Sequence, residues 1–255
     1  TATVVSYLPA NVVGSGNKTY KWAYGDWSST RGYPGAVTFY GDRLFWGGSP
    51  TRPQTVWGSR VGFYEDHKAS ALDDSALAFT LNANSVNTIR WLEGDEKGLL
   101  IGTVSGEWVL RPSTTNAALT PGNVKGDRST GYGSNDVPFA RVGKAVLFVQ
   151  RAGRKLREFA YIFEDDGFRA PNLTVRADHI SSSGFVDMAY QAQPDSVLWL
   201  PRADGVLAGF TYERDQDALA WHRHILGGFS DAEQTLPAVV ERGAVIPSAD
   251  GTHDE

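Results

Sequence analysis

At 255 residues, 41% hydrophobic and 21% charged, the chain has an ordinary globular composition and can bury a sizeable core as one large all-β domain or two small ones. A net charge of −5 and an isoelectric point near 5.6 argue against a surface that clamps nucleic acid, and with no cysteine there is no disulfide or thiol chemistry. No stretch approaches the ~18 uncharged apolar residues of a membrane span, and no signal-peptide pattern opens the sequence.

Twenty-eight glycines, twelve prolines and thirty aromatic residues (eight Trp, ten Tyr, twelve Phe) suit many short strands joined by tight turns. Residues 1–35 contain one apolar stretch at 3–8, then Gly, Ser, Asn and aromatics, which predicts an N-terminal strand and connector. From there one phrase recurs about five times at a spacing of about 50 residues: an alternating apolar run, a polar or glycine turn, and a second apolar run. Its copies lie at 36–46, 88–102, 139–149, 188–200 and 239–246. Strand-built repeats of that length belong to propeller-type folds, in which one blade is one supersecondary unit.

The first unit predicts strands at 36–40 and 43–47 across Gly41-Asp42, then 54–59 and 76–81, with Pro50 and Pro53 in a loop where a missing N–H costs little. The second pairs 88–92 with 98–103 across a turn at 93–97 and adds 107–110. A connector at 112–138, rich in Gly, Ser, Thr and Asn, then interrupts the rhythm; unstructured stretches of that length in compact domains usually serve function or interaction. The third unit predicts strands at 140–142, 145–150 and 155–163. The fourth predicts 186–191, 196–200, 206–212 and 218–224, and the fifth is truncated. The longest helical candidate, 63–72, has too few apolar positions to form a helix. The predicted fold is all-β, with β-propeller-like repeats of antiparallel sheets and long loops over 36–255. Both ends read as cut, the mark of a piece of a longer polypeptide.

Motifs for chemistry fall short of their required spacing. Val13-Gly14-Ser15-Gly16-Asn17-Lys18-Thr19 puts Asn17 and Val12 where a phosphate loop needs glycine, so it reads as a flexible turn. His222 and His224 share one side of a strand, as metal ligands could, but no third ligand is evident and they read as surface histidines beside Trp221. Glu164-Asp165-Asp166-Gly167 does not match a twelve-residue calcium loop and reads as a solvated acidic turn. Asp42, Glu107, Glu158 and Asp187 adjoin aromatic-rich strands, as a sugar site needs, but carboxylate separation is spatial and stays open. Residues 248–252 resemble the aspartate-box turn of sialidase-type propellers without its tryptophan, and no Gly-x-Ser-x-Gly elbow occurs. The expectation is a protein with no catalytic residues, cofactor or metal.

The string Tyr33-Pro34-Gly35-Ala36-Val37-Thr38-Phe39, Arg43-Leu44-Phe45-Trp46-Gly47-Gly48-Ser49 and Arg52-Pro53-Gln54-Thr55-Val56-Trp57-Gly58-Ser59-Arg60 is the richest in the chain. With Asn87-Thr88-Ile89-Arg90-Trp91-Leu92, Leu119-Thr120-Pro121-Gly122-Asn123, Arg157-Glu158-Phe159-Ala160-Tyr161 and Trp221-His222-Arg223-His224, it resembles the tail tubular or nozzle proteins of short-tailed bacteriophages, in order from about residue 10 to the C-terminus. The resemblance implies a structural virion protein in a hexameric ring at the distal end of the tail. That ring forms the channel for DNA ejection and meets other tail proteins such as adaptor and fibres. Location in the virion tail, and in the host cytoplasm during assembly, follows from the same resemblance. Arg52, Arg60 and Tyr132 are candidate interface residues by type, and Leu119, Val124 and Tyr132 are apolar anchors that would let the connector contribute to ring contacts. A glycan-binding or glycan-cleaving propeller is the alternative.

Overall fold

The computed structural model describes residues 25–84, 87–114 and 117–255. The strand expected at 3–8 and the loop at 13–19 lie outside the described residues. Among the described residues sixteen strands form four antiparallel four-stranded sheets, each a meander in chain order, as expected of propeller-like repeats. Sheet 1 holds β1 (Ala36–Tyr40), β2 (Arg43–Gly47), β3 (Thr55–Gly58) and β4 (Leu77–Thr80), and sheet 2 holds β5 (Ile89–Asp95), β6 (Gly98–Thr103), β7 (Gly106–Arg111) and β8 (Lys125–Thr130). Sheet 3 holds β9 (Ala140–Val142), β10 (Ala145–Val149), β11 (Leu156–Ile162) and β12 (Gly167–Arg169). Sheet 4 holds β13 (Ala189–Gln191), β14 (Val197–Pro201), β15 (Leu207–Glu213) and β16 (Ala218–His224). The one described α-helix, α1 (Asp178–Ser181), is a single turn, and residues 63–72 form no helix.

Hairpin chemistry explains the tight corners. Gly41 and Asp42 both have positive φ (54° and 56°), the pattern of a two-residue turn whose twist matches that of its strands. Alternation then sends side chains to the two faces of each sheet, and the sheets stack on those faces. Phe45, Val56 and Leu77 of sheet 1 meet Leu99, Ile101 and Leu110 of sheet 2. The opposite face of sheet 2, with Trp91, Leu100 and Val109, meets Val146, Phe148 and Phe159 of sheet 3. Leu147, Val149 and Leu156 then meet Leu198, Leu200, Ala208 and Phe210 of sheet 4. Among the described residues no core cluster joins sheet 1 to sheet 4.

Four expectations are corrected. The turn of the second unit is only Glu96-Lys97, because β5 continues to Asp95 to pair with Leu100, Leu99 and Gly98. The connector at 112–138 contains β8, which pairs Val109 with Asp127 and Leu110 with Gly126. Its sequence, KGDRST, lacks apolar alternation because it is an edge strand, held partly by Asp127 between Arg111 (2.9 Å) and Lys125 (2.9 Å). In the third unit the acidic run makes one 3₁₀ turn, Phe163–Asp165; Asp166 reverses the chain in the left-handed region (φ 46°), and a fourth strand, β12, follows. Finally, 239–246 is no strand. With no partner strand, its backbone bonds to scattered acceptors: Val240 N donates to the Gly205 carbonyl in a turn of sheet 4 at 2.9 Å, Gly243 N to Asp187 Oδ2 at 3.2 Å and Ile246 N to the Glu255 carbonyl at 2.8 Å.

Candidate functional site

The candidate interface residues fall on different sheets, and most are engaged within the chain. The Arg52 guanidinium donates to Asp26 Oδ2 at 3.2 Å, and Trp57 Nε1 donates to the same oxygen at 2.8 Å, so the segment before β1 is pinned to sheet 1. Trp27 then packs edge-on against Trp57 (5.5 Å) and Trp46 (5.7 Å). Arg60 donates to Asp74 Oδ2 through Nε (3.0 Å) and Nη2 (2.7 Å) and lies 4.9 Å from the Phe63 ring. Leu119 and Val124 are half-buried against the core between sheets 1 and 2. Of the five, Tyr132 stands at the densest polar cluster.

That cluster is built where sheets 2 and 3 meet. Glu107, on β7, is fully buried; the Thr130 hydroxyl donates to its Oε2 and the Ser134 hydroxyl to its Oε1 at 3.3 Å. Trp91 Nε1 donates to Ser134 Oγ at 3.0 Å, which ties the cluster to the core. Burial pushes the Glu107 carboxyl up from its ordinary range, while bonds from Thr130, Ser134 and the Tyr132 backbone and the charge of Arg157 pull the other way. Arg157, on β11, lies with its guanidinium 3.4 Å from the centre of the Tyr132 ring, donates from Nε to Gln150 Oε1 at 2.8 Å and from Nη1 to the Ala170 carbonyl at 2.5 Å. Arg157 adjoins Glu158 in sequence but faces the other side of the strand.

Glu158 is nearly buried on the side of sheet 3 that faces sheet 4, 3.4 Å from Arg214 Nε. Burial and then its negative charge hold the Tyr212 hydroxyl protonated far above the ordinary tyrosine range. A cavity of about 530 Å³ opens here, lined by Tyr132, Glu158, Phe168, Arg169 and Arg214 among others. The four carboxylates with aromatic neighbours therefore part company. Glu107 and Glu158 gather around the Tyr132 region, Asp42 stays in the β1–β2 turn, and Asp187 caps the Met188 and Gly243 backbone amides at 2.9 and 3.2 Å.

No family model matches the chain, and no curated protein matches it. Among solved structures it is similar to the crystal structure of a calcium-binding protein, regucalcin, from Agrobacterium tumefaciens str. C58. Identity is 12% over 84% of this chain and 78% of that one, with a TM-score of 0.27. A likeness so distant has no bearing on function.

Arg157, Ser134, Tyr212 and Arg214 escape sequence reasoning. They are polar residues in strands, turns and loops whose meeting depends on how the sheets stack; the one local signal is the charge pair Arg157-Glu158 inside an otherwise apolar strand. The acidic turn at 164–167 directs no shared ligand, since Asp165 pairs with Arg169 and Asp166 accepts from the Tyr161 hydroxyl at 2.5 Å. Among the described residues no group of three or more His, Asp or Glu side chains converges as metal ligands do. Chemically, the Glu107 cluster can act as a buried clamp between sheets 2 and 3, and the cavity opens beside it, between Thr130 and Tyr132 on one side and Glu158 on the other.

Proposed function

We propose that the chain is a structural virion protein, a subunit of the tail nozzle of a short-tailed bacteriophage that assembles as a homo-oligomeric ring around the DNA-ejection channel. Its place is the virion tail, beside adaptor and fibre proteins. The observation that carries this assignment is the ordered resemblance, which begins ahead of β1 at Tyr33-Pro34-Gly35 and still holds at Trp221-His222-Arg223-His224 in β16. Two features support it. Large apolar side chains are exposed beyond both ends of the stack, Val37, Phe39, Phe63 and Tyr64 at sheet 1 and Ile225 and Leu226 after sheet 4, and surfaces of that kind suit contacts with other chains. The net charge of −5 suits a channel along which a phosphate backbone slides without sticking. Sedimentation velocity and cryo-microscopy of the full-length protein test the assignment: rings are expected, and a monomer at every concentration overturns it.

The cavity beside Tyr132, Phe168 and Glu158 favours a second reading, a groove that takes a glycan, with sugar C–H faces on the rings and hydroxyls on the carboxylate. Saturation-transfer NMR against host surface polysaccharide tests it, and no transfer to any glycan removes it.

A further inference from the structure

We propose that His222 and His224 form a two-histidine chelate for a borderline divalent transition-metal ion, Cu²⁺ ahead of Ni²⁺ and Zn²⁺, on the face of sheet 4 turned away from sheet 3. This goes beyond the nozzle assignment and does not depend on it.

The two residues are two apart on β16, so both side chains rise from the same face. His222 Nδ1 and His224 Nε2 converge to 2.6 Å. Imidazole nitrogens bind such ions at about 2.0–2.1 Å, and two bonds of that length at a right angle span about 2.9 Å. Opening the pair by a few tenths of an ångström therefore admits a metal ion where one proton now bridges. Copper heads the expected order because affinity for imidazole sites rises along the first-row series to Cu²⁺ and falls at Zn²⁺.

The surroundings fix the rings in place. Gly209 pairs with His222 across the strands, and a Cβ there would lie 2.0 Å from His222 Cε1, so only glycine lets the imidazole lie down on the sheet. Trp199 forms the adjoining wall, its ring 5.8 Å from His222 and 5.1 Å from His224, and its Nε1 donates to Gln191 Oε1 at 2.8 Å. Thr211 Oγ1 lies 3.4 Å from His222 Nε2, the arrangement in which the ring nitrogen that does not bind metal is held by an oxygen and the binding nitrogen is aimed. The protein supplies two ligands, and water or a small anion fills the other positions.

Titration with CuCl₂ alone in a non-coordinating buffer, followed by tryptophan fluorescence and electron paramagnetic resonance, tests the proposal, because a Cu²⁺ ion beside Trp199 quenches it. One saturable site is expected in the wild type. His222→Ala and His224→Ala should each weaken it by at least about tenfold, Thr211→Val by about tenfold, and His179→Ala, in α1, should leave it unchanged. Circular dichroism of each variant confirms that the sheets persist. Absence of a saturable site, or binding within about twofold of wild type in either β16 histidine variant, overturns the proposal.

Discussion

The guanidinium of Arg157 lies 3.4 Å from the centre of the Tyr132 ring, and so joins the strand after the third unit's first hairpin to the end of the second unit's connector. Arg157 is almost fully buried, so the ring acts as its lid as well as its partner. Tyr132→Ala should therefore cost about 1–2 kcal/mol of stability, while Tyr132→Phe, which keeps the ring face, should cost under half of that. Urea unfolding measures both, and equal losses would show that the ring is not what holds Arg157.

Glu107 makes stability depend on pH with a definite sign. Its folded-state pKa is raised, chiefly by burial, so its stabilising contribution is full below the ordinary carboxylate pKa and is lost as pH rises through the raised value. Glu107→Gln keeps an acceptor for Thr130 or Ser134 and removes the titration. Its stability-against-pH curve should lack the decline expected of the wild type as pH rises from the ordinary carboxylate pKa through the raised one. Thermal melts at stepped pH check this.

Gly102 lies under Trp91, and a Cβ at that position would sit 2.0 Å from Trp91 Cε2. Gly102→Ala must displace a ring packed between sheets 2 and 3, so a loss of about 1–3 kcal/mol is expected in chemical denaturation.

Asp26 accepts from both Trp57 and Arg52 through one oxygen. In Asp26→Ala the backbone amides of Gly32 and Gly35, bonded to Ser28 and Gly48, should exchange hydrogen faster while those of β6 and β10 stay protected. Unaltered exchange at Gly32 and Gly35 would mean that the Trp27 packing alone docks the segment.

Deleting residues 116–132 removes β8 and Tyr132 together. The expected result is a destabilised sheet 2 and a lowered melting temperature, and not an intact monomer that merely fails to assemble. Calorimetry of the deletion variant beside Tyr132→Ala separates the loss of the strand from the loss of the ring.

The local architecture is legible in the chain residue by residue. Period-two apolar runs and turn residues such as Gly41-Asp42 placed four strand units whose sheets begin at residues 36, 89, 140 and 189, because hairpin pairing is decided within a few residues of the turn. β8, β12 and the fate of 239–246 depend on contacts with other segments of the chain. An edge strand takes its stability from cross-strand partners such as Arg111 and Asp127 and carries no apolar pattern of its own, and an apolar run with no partner strand cannot become one. The candidate sites belong to the same class. Glu107 meets Arg157, and Leu119 and Val124 turn inward, through the stacking of whole sheets, a relation between residues far apart in the chain that no local spacing encodes.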